Sequence, residues 1–263
     1  MKNHFFFPYT GNKRTEVEKI YDSIKDKMEN IKCIIEPFCG SSALSYYIWL
    51  NNKEKNYKYI LNDNNEKLIE LYKIVKDEKK FNELFDKLNK IVDKIFSYEE
   101  FEKRKEEYKK NVNKEDLLGY CLKNRVFQRV PGLFPSINEN FRKRTHLFIN
   151  APVIDFLRNA NIEFYNKSGL DIYKEYCNKP ENLIFLDPPY LLTCNSLYEN
   201  PIMDIYEYLV DNDIENNKAL IVLCLENNFI IKLLFKKYNS LTYQKRYENN
   251  HKKTEHVIIL NKK

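Results

Sequence analysis

The chain has 263 residues, of which 43% are hydrophobic, so it can bury a real core and does not have the composition of a disordered protein. Its formal net charge of +6 is modest and by itself identifies no partner. No uninterrupted apolar run approaches the roughly 18–20 residues of a membrane span. Residues 1–8 also lack the apolar region and cleavage site of a signal peptide. We therefore expect a soluble, intracellular protein that is not associated with a membrane.

The cysteines and histidines show no metal-binding or disulfide pattern. The six cysteines form no C-x-x-C pair, and the four histidines are scattered along the chain. The sequence therefore indicates neither a disulfide framework nor a zinc site, and we expect reduced, mostly buried thiols.

Apolar, β-branched runs alternate with helical patterns along most of the chain. The predicted strands cover residues 33–38, 57–62, 162–166, 183–186, 219–225, 242–247 and 256–260. The predicted helices cover residues 15–29, 43–51, 65–76, 152–159, 204–211 and 229–238. This alternation predicts an α/β fold with a doubly wound sheet of seven strands. The short connection 248–254 predicts an antiparallel hairpin at one end of that sheet.

The alternation fails between residue 77 and about residue 148. The stretch 79–110 is charged, and its apolar residues recur at the three- and four-residue spacing of a helix face: Phe81, Leu84, Phe85, Leu88, Ile91, Val92 and Ile95. We therefore predict an inserted, mainly helical subdomain over 77–148, within a domain formed by 1–76 and 149–263.

The tetrapeptide Asp187-Pro188-Pro189-Tyr190 directly follows the apolar run 182–186. The two prolines end the predicted strand, so an acid and an aromatic ring stand at its carboxyl end, where open α/β sheets bind ligands. A carboxylate, a fixed carbonyl and a flat ring suit a planar ring that bears an amino group, such as a nucleobase. The alternative is an ordinary Asp-Pro-Pro turn followed by a core tyrosine.

Two further strand ends carry acids. Glu36 ends the first predicted strand, and Gly40 in the following turn allows a ligand to approach the backbone. A phosphate-binding loop and a full G-x-G-x-x-G motif are both absent from the sequence. Asp63 ends the second strand, where an acid either binds a ribose hydroxyl pair or caps the next helix. Both interpretations of Asp63 are open.

Taken together, these segments resemble the DNA adenine methylase family, the D12 class of N6-adenine-specific DNA methyltransferases. Tyr9–Lys13 is similar to an aromatic-x-Gly-Gly-Lys opening, and 36–43 is similar to an E-P-F-x-G-x-G cofactor turn. Further similar segments are 61–63 with 68–72, the adenine-binding turn at 164–171, the D-P-P-Y motif, and the approach to the last strand at 252–257. Asn12 and Ser42 replace the second glycine of the opening and of the cofactor turn, so we expect slightly altered cofactor contacts.

The resemblance implies a Rossmann-like, S-adenosylmethionine-dependent methyltransferase with an inserted target-recognition subdomain. It assigns catalysis to Asp187, Pro188, Pro189 and Tyr190. The Asp187 carboxylate and the Pro188 carbonyl would accept hydrogen bonds from the amino group of an adenine, and Tyr190 would stack on its ring. It assigns cofactor binding to Tyr9, Gly11, Lys13, Glu36, Pro37, Phe38, Gly40, Ser41, Ser42, Asp63, Asp171, Ile172 and Asp187. No metal is implied.

The region 123–144 has the residues of a nucleic-acid surface. It holds six basic residues against a single acid, Glu139, with phenylalanines interleaved. The loop 131–135 resembles the family's hairpin that enters DNA. The predicted DNA-binding residues are Lys123, Arg125, Arg129, Phe134, Arg142, Lys143, Arg144 and Lys252. A solvated charge run over core phenylalanines is the alternative. The second basic stretch, 245–253, fits either the same cleft or a plain surface loop.

The leading hypothesis is a site-specific methyltransferase that modifies N6 of a flipped-out adenine in double-stranded DNA. It would act as a monomer or weak dimer, and a cognate restriction endonuclease is a candidate partner. Two alternatives are an RNA N6-adenine methyltransferase and an inactive relative that binds DNA.

Overall fold

The computed structural model describes residues 4–6, 9, 11–92, 116–126, 149–190, 203–246 and 253–261. The chain divides into two units: residues 1–14 with 65–159, and residues 15–64 with 160–263. The predicted insertion, 77–148, lies within the first of these ranges, and its boundaries remain a prediction.

The second unit contains a sheet of seven strands. They are β1 (Cys33–Glu36), β2 (Lys58–Asn62), β3 (Asn161–Tyr165), β4 (Asn182–Leu186), β5 (Leu220–Glu226), β6 (Asn239–Arg246) and β7 (Lys253–Leu260). Their order is β3-β2-β1-β4-β5-β7-β6. Neighbouring strands are parallel, except that β7 runs antiparallel to both β5 and β6. The predicted seven-stranded α/β sheet and its terminal hairpin are therefore confirmed.

Helices separate most of the strands. In chain order they are α1 (Val17–Asp22), α2 (Ala43–Asn51), α3 (Glu66–Lys76), α4 (Glu78–Val92), α5 (Leu117–Cys121), α6 (Val153–Asn159), α7 (Gly169–Tyr176), α8 (Met203–Asp211) and α9 (Phe229–Leu234). A π-helical turn, Leu122–Val126, continues α5. Among the described residues, no helix combines the length and the apolar character that crossing a membrane requires.

The first unit shows the amphipathic pattern that the sequence predicts. Phe81, Leu84 and Leu88 of α4 are buried at the expected spacing. The structure describes the predicted helix 79–110 as far as Val92, and the rest lies outside the described residues. Arg158 of α6 donates from Nε to the carbonyl of Val75 at 3.0 Å, which fixes α6 against the end of α3.

Three local differences from the predicted elements have physical causes. The helix predicted over 15–29 ends at Asp22, because the Ser23 hydroxyl donates to the Ile20 carbonyl at 2.6 Å and competes with the helical bonds. Helix α7 was not among the predicted helices. It begins after Ser168, whose hydroxyl accepts the Leu170 N–H, so a serine cap marks its start. Strand β6 begins at Asn239, earlier than the predicted residue 242, because Asn239 and Ser240 already pair with Leu260 and Ile259 of β7.

The inner strands fix the positions of the candidate site. Every residue of β1 and β4 is buried, as expected for parallel strands that are covered on both faces. One side of this core joins Ile35, Ile60 and Ile184 of the strands to Ile172 of α7 and Leu209 of α8. The carboxyl ends of β2, β1 and β4 are therefore held at one edge of a rigid layer.

Candidate active site at the switch point of the sheet

The strand order reverses at β1, which makes this the place where open α/β sheets bind ligands. Ile35 of β1 pairs with Ile60 of β2 on one side and with Ile184 of β4 on the other. The acids Asp63, Glu36 and Asp187 therefore end or directly follow three adjacent strands. The structure confirms that the acids that the sequence singles out share this edge.

The turn after β1 contains two left-handed residues, which are separated by Ser41. Gly40 has φ +46° and Ser42 has φ +51°, so Ser42 adopts a left-handed conformation that glycine would take without strain. The Ser42 N–H donates to the Cys39 carbonyl at 2.6 Å, and the Cys39 N–H donates to the Asn62 carbonyl at 2.8 Å. Ser42, where the family pattern has glycine, thus keeps a backbone conformation that favours glycine.

Asp63 is tied to this turn rather than to a helix. Its Oδ2 accepts the Gly40 N–H at 2.9 Å. The cap of α3 is Asn65, whose side chain accepts the Leu68 N–H at 3.0 Å. The interpretation of Asp63 as a helix cap is therefore wrong, because the residue two positions later takes that role.

Asn62 is a structural residue of the site to which the sequence assigned no role. Its side-chain amide donates to the carbonyls of Pro37 and Lys167, at 2.8 and 3.1 Å, and its Oδ1 accepts the Lys167 N–H at 2.9 Å. The side chain is completely buried. Asn62 thus joins the turn after β1 to the turn after β3. The signal available in the sequence was an amide side chain at the end of a predicted buried strand.

Glu36 is buried beneath the turn. Its Oε1 accepts the Ser45 N–H at 2.8 Å, at the start of α2. Burial raises the pKa of Glu36 to about 7, and the nearby Asp187 carboxylate adds to this rise, whereas the bond from Ser45 opposes it. The site therefore holds a carboxyl group that titrates near neutral pH. Ser41, also assigned to the cofactor, is buried in the same turn.

The Phe38 ring lies directly on Gly169, the first residue of α7. A Cβ atom at Gly169 would stand 2.4 Å from the ring, so glycine is needed for this close approach. Beyond it, Asp171 is exposed, whereas Ile172 is completely buried in the core. The structure thus presents the Asp171 side chain to solvent and encloses that of Ile172. The assignment of both to the cofactor remains a prediction.

The D-P-P-Y segment is held from two sides. Asp187 and Tyr190 are half-buried, which leaves part of each side chain at the surface. The Tyr206 hydroxyl of α8 donates to the Pro189 carbonyl at 3.0 Å. On the other side, the Tyr190 hydroxyl lies 3.4 Å from Nδ1 of His256, with the two rings nearly perpendicular at 86°. Tyr190 is thus neither a fully buried core residue nor a freely exposed one.

A buried polar cluster lies behind Tyr190. We call it the Glu16 cluster; it comprises Glu16, Cys224, Tyr243, Lys245 and His256. Metal-ligating atoms of Glu16, Cys224 and His256 lie within 4.8 Å of one another. The Lys245 ammonium already pairs with the Glu16 carboxylate and would oppose a cation there. Lys245 is buried and held inside by the Glu16 carboxylate, so the predicted cleft or surface-loop position of the stretch 245–253 is wrong for this first residue. Residues 247–252 lie outside the described residues.

The opening loop belongs to the first unit. Gly11 has φ +79°, and Asn12 closes the loop by accepting the Arg14 N–H on Oδ1 at 2.8 Å. The Tyr9 ring packs edge-on against Phe5, and Lys13 donates to the Gly11 carbonyl at 3.4 Å. Asn12, where the family pattern has glycine, thus contributes a side-chain bond to the turn.

The predicted DNA-binding residues lie mostly outside the described part of the chain. Lys123 is exposed on the π-helical turn that follows α5, and the backbone of Arg125 belongs to the same turn. Residues Arg129, Phe134, Arg142, Lys143, Arg144 and Lys252 lie outside the described residues.

Comparison with protein families agrees with this arrangement. The model of the D12 class N6 adenine-specific DNA methyltransferase family matches residues 9–223, which include the opening loop, the cofactor turn and the D-P-P-Y segment. The chain belongs to this family. It is accordingly an adenine-specific DNA methyltransferase. Enzymes of this class transfer methyl groups, in general from S-adenosylmethionine.

The chain was also compared with curated proteins and with solved structures. No curated protein matches the sequence of this chain. Among solved structures, the rRNA methyltransferase aviRa from Streptomyces viridochromogenes is 11% identical, with a TM-score of 0.39. The alignment covers 94% of this chain and 84% of that one.

Proposed function

We propose that this enzyme binds S-adenosylmethionine at the switch point and methylates N6 of an adenine flipped out of double-stranded DNA at a specific site. The observation that carries the proposal is the convergence of Glu36, Asp63 and Asp187 beside the D-P-P-Y segment. The RNA and inactive-relative alternatives have no comparable support from the described residues.

The charges at this edge suit a cationic methyl donor. S-adenosylmethionine supplies an electrophilic methyl group on a positively charged sulfur. Glu36 and Asp187 place two carboxyl groups near one another, and a cation between them would favour their ionised forms. Asp63, fixed by the Gly40 amide, has the position after strand two that suits a ribose hydroxyl pair. The residues present therefore fit the cofactor.

The D-P-P-Y segment suits the target adenine. The lone pair on N6 is delocalised into the ring, so the amino group is a poor nucleophile. Hydrogen bonds accepted by the Asp187 carboxylate and the Pro188 carbonyl would localise that lone pair and direct it at the methyl group. The half-buried Tyr190 ring offers a stacking surface. A stacked duplex hides N6, so the base must leave the helix.

The inserted region supplies the charge for the DNA backbone. The sequence 123–144 carries six basic residues and interleaved phenylalanines, and Lys123 is exposed in the structure. Function as a monomer or weak dimer, an intracellular site of action and a cognate restriction endonuclease belong to this proposal as well.

The experiment uses the purified full chain and tritiated S-adenosylmethionine. Plasmid DNA from an adenine-methylase-deficient host is the substrate, with total RNA in a parallel reaction. Label in the DNA, located by sequencing that detects N6-methyladenine, supports the proposal and gives the target site. Label in the RNA alone would establish the RNA alternative. DNA binding without cofactor binding would establish an inactive relative.

A further inference from the structure

We infer that the buried pair Glu16 and His256 positions the Tyr190 ring for the target base, a role that rests on the proposed function of the D-P-P-Y segment. His256 is the link in this chain of contacts. Its Nδ1 lies 3.2 Å from Glu16 Oε2 and 3.4 Å from the Tyr190 hydroxyl. The Glu16 carboxylate and the Tyr190 hydroxyl are therefore both within hydrogen-bonding reach of the same ring nitrogen.

The fold fixes the link rigidly. His256 is completely buried in β7, where it pairs with Glu226 of β5 and with Tyr243 of β6. Glu16 directly precedes α1 and is also buried. The imidazole therefore has little freedom to turn, and the tyrosine edge that meets it is held in one place.

The protons in the cluster can be assigned by counting donors and acceptors. Glu16 pairs with the Lys245 ammonium, which favours its ionised form, and an ionised carboxylate only accepts hydrogen bonds. Nδ1 of His256 must then carry a proton directed at Glu16. The oxygen of Tyr190 lies within reach of the same N–H as an acceptor, so its own O–H is left to point away from His256.

The remaining members of the cluster hold Glu16 in place. Tyr243 donates its hydroxyl proton to Glu16, so the nearby Cys224 thiol, 3.3 Å from the Tyr243 oxygen, acts as the donor in that contact. Burying an ion pair and these polar groups is costly unless each has a partner. Because this network ends at the half-exposed ring of the D-P-P-Y segment, we assign it a positioning role.

Three variants test the role. His256→Leu fills the buried position with an apolar side chain and removes Nδ1. His256→Asn is the matched control, because its side-chain nitrogen reproduces the position and the donor of Nδ1. Tyr190→Phe keeps the stacking ring and removes only the hydroxyl. Each full-length protein is assayed for single-turnover methyl transfer to plasmid DNA and for its KM for S-adenosylmethionine.

We expect His256→Leu and Tyr190→Phe each to slow methyl transfer by about 10- to 100-fold, with the KM for S-adenosylmethionine little changed, because only the orientation of the base is lost. The double variant should be no slower than either single variant, since both remove one contact. His256→Asn should recover most of the rate. Independent effects that multiply in the double variant, or an Asn variant as slow as the Leu variant, would overturn the inference.

A second measurement separates this inference from the proposed function. In protein labelled with carbon-13 at the tyrosine Cζ atoms, the Tyr190 signal is identified by its loss in Tyr190→Phe. It should shift in His256→Leu and keep its position in His256→Asn, whether or not the enzyme methylates DNA. A signal unmoved by His256→Leu would reject the contact itself. If the Leu variant is too unstable for either measurement, His256→Gln replaces it, because its longer side chain moves the amide nitrogen away from the position of Nδ1. A Tyr190 signal unmoved in that variant would likewise reject the contact.

Discussion

The backbone N–H of Gly40 donates to the Asp63 carboxylate at 2.9 Å, across the neighbouring strands β1 and β2. This bond joins the turn after one strand to the acid that ends the next. We expect Asp63→Asn to retain the acceptor, and hence the fold, while weakening S-adenosylmethionine binding. Asp63→Ala should in addition lower the free energy of unfolding by about 1–3 kcal/mol, because the Gly40 amide loses its acceptor. Calorimetric titration and urea unfolding measure the two effects.

The adjacent, exposed Asn64 provides a matched control. Asn64→Ala should alter neither binding nor stability, since it lies outside this contact. Cofactor binding by Asp63→Asn equal to that of the wild type would remove the Asp63 charge from the cofactor site.

Ser42 has a positive φ of 51°, which residues other than glycine rarely adopt. Ser42→Gly should therefore be more stable than Ser42→Ala by about 1 kcal/mol, because both lose the hydroxyl and only glycine relieves the backbone. Denaturant midpoints compare the two variants. Ser41→Gly, next in the turn but without a positive φ, should instead lower stability. Equal stability of Ser42→Gly and Ser42→Ala would show that the backbone at position 42 is not strained.

The contact between Phe38 and Gly169 leaves no room for a methyl group. Gly169→Ala should lower the free energy of unfolding by about 1–3 kcal/mol, because the Phe38 ring must move from its place. Thermal unfolding measures the loss. Combining Gly169→Ala with Phe38→Leu should recover part of it, since the smaller side chain makes space. A double variant whose losses simply add would show that the two residues do not share this space.

The raised pKa of Glu36, about 7, makes stability depend on pH in a defined direction. The folded protein holds this proton more tightly than the unfolded chain, whose carboxyl has the ordinary value of 4.5. The stabilisation of the folded state by the protonated Glu36 carboxyl group is fully present below pH 4.5 and is lost as the pH rises through about 7. The loss amounts to about 3 kcal/mol for a shift of this size.

Glu36→Gln removes this titration. The difference in unfolding free energy between the wild type and the variant should change between pH 5 and pH 8, with the wild type losing relative stability as pH rises. Urea unfolding at each pH measures it. Parallel curves for the two proteins would show that Glu36 does not titrate in this range.

Asp187→Ala should abolish methyl transfer and leave the fold intact, since Asp187 follows β4 rather than lying in the core and is only half-buried. Tritium incorporation into DNA measures the rate, and circular dichroism checks the fold. The exposed Asp211 at the end of α8 is the matched control, and Asp211→Ala should be fully active. Turnover by Asp187→Ala near the wild-type rate would exclude Asp187 from the mechanism.

The sequence alone determined the succession of the seven strands and of most of the helices along the chain, and the strand ends at which the candidate site lies. Buried parallel strands are continuous apolar runs, and prolines or glycines end them, so Glu36, Asp63 and Asp187 could be placed at strand ends without a structure. The D-P-P-Y segment and its neighbours indicated the family for the same reason: these motifs are local in sequence.

Only the tertiary structure decided which side chains meet. That Asp63 accepts the Gly40 N–H depends on β1 and β2 lying side by side in the sheet. The burial of Lys245 follows from a partner 229 positions earlier in the chain, Glu16, and no local pattern marks such a pair. The approach of His256 to Tyr190 likewise follows from β7 lying beside β5 in the sheet. Local spacing sets which elements form, whereas contacts between distant residues depend on how the elements assemble.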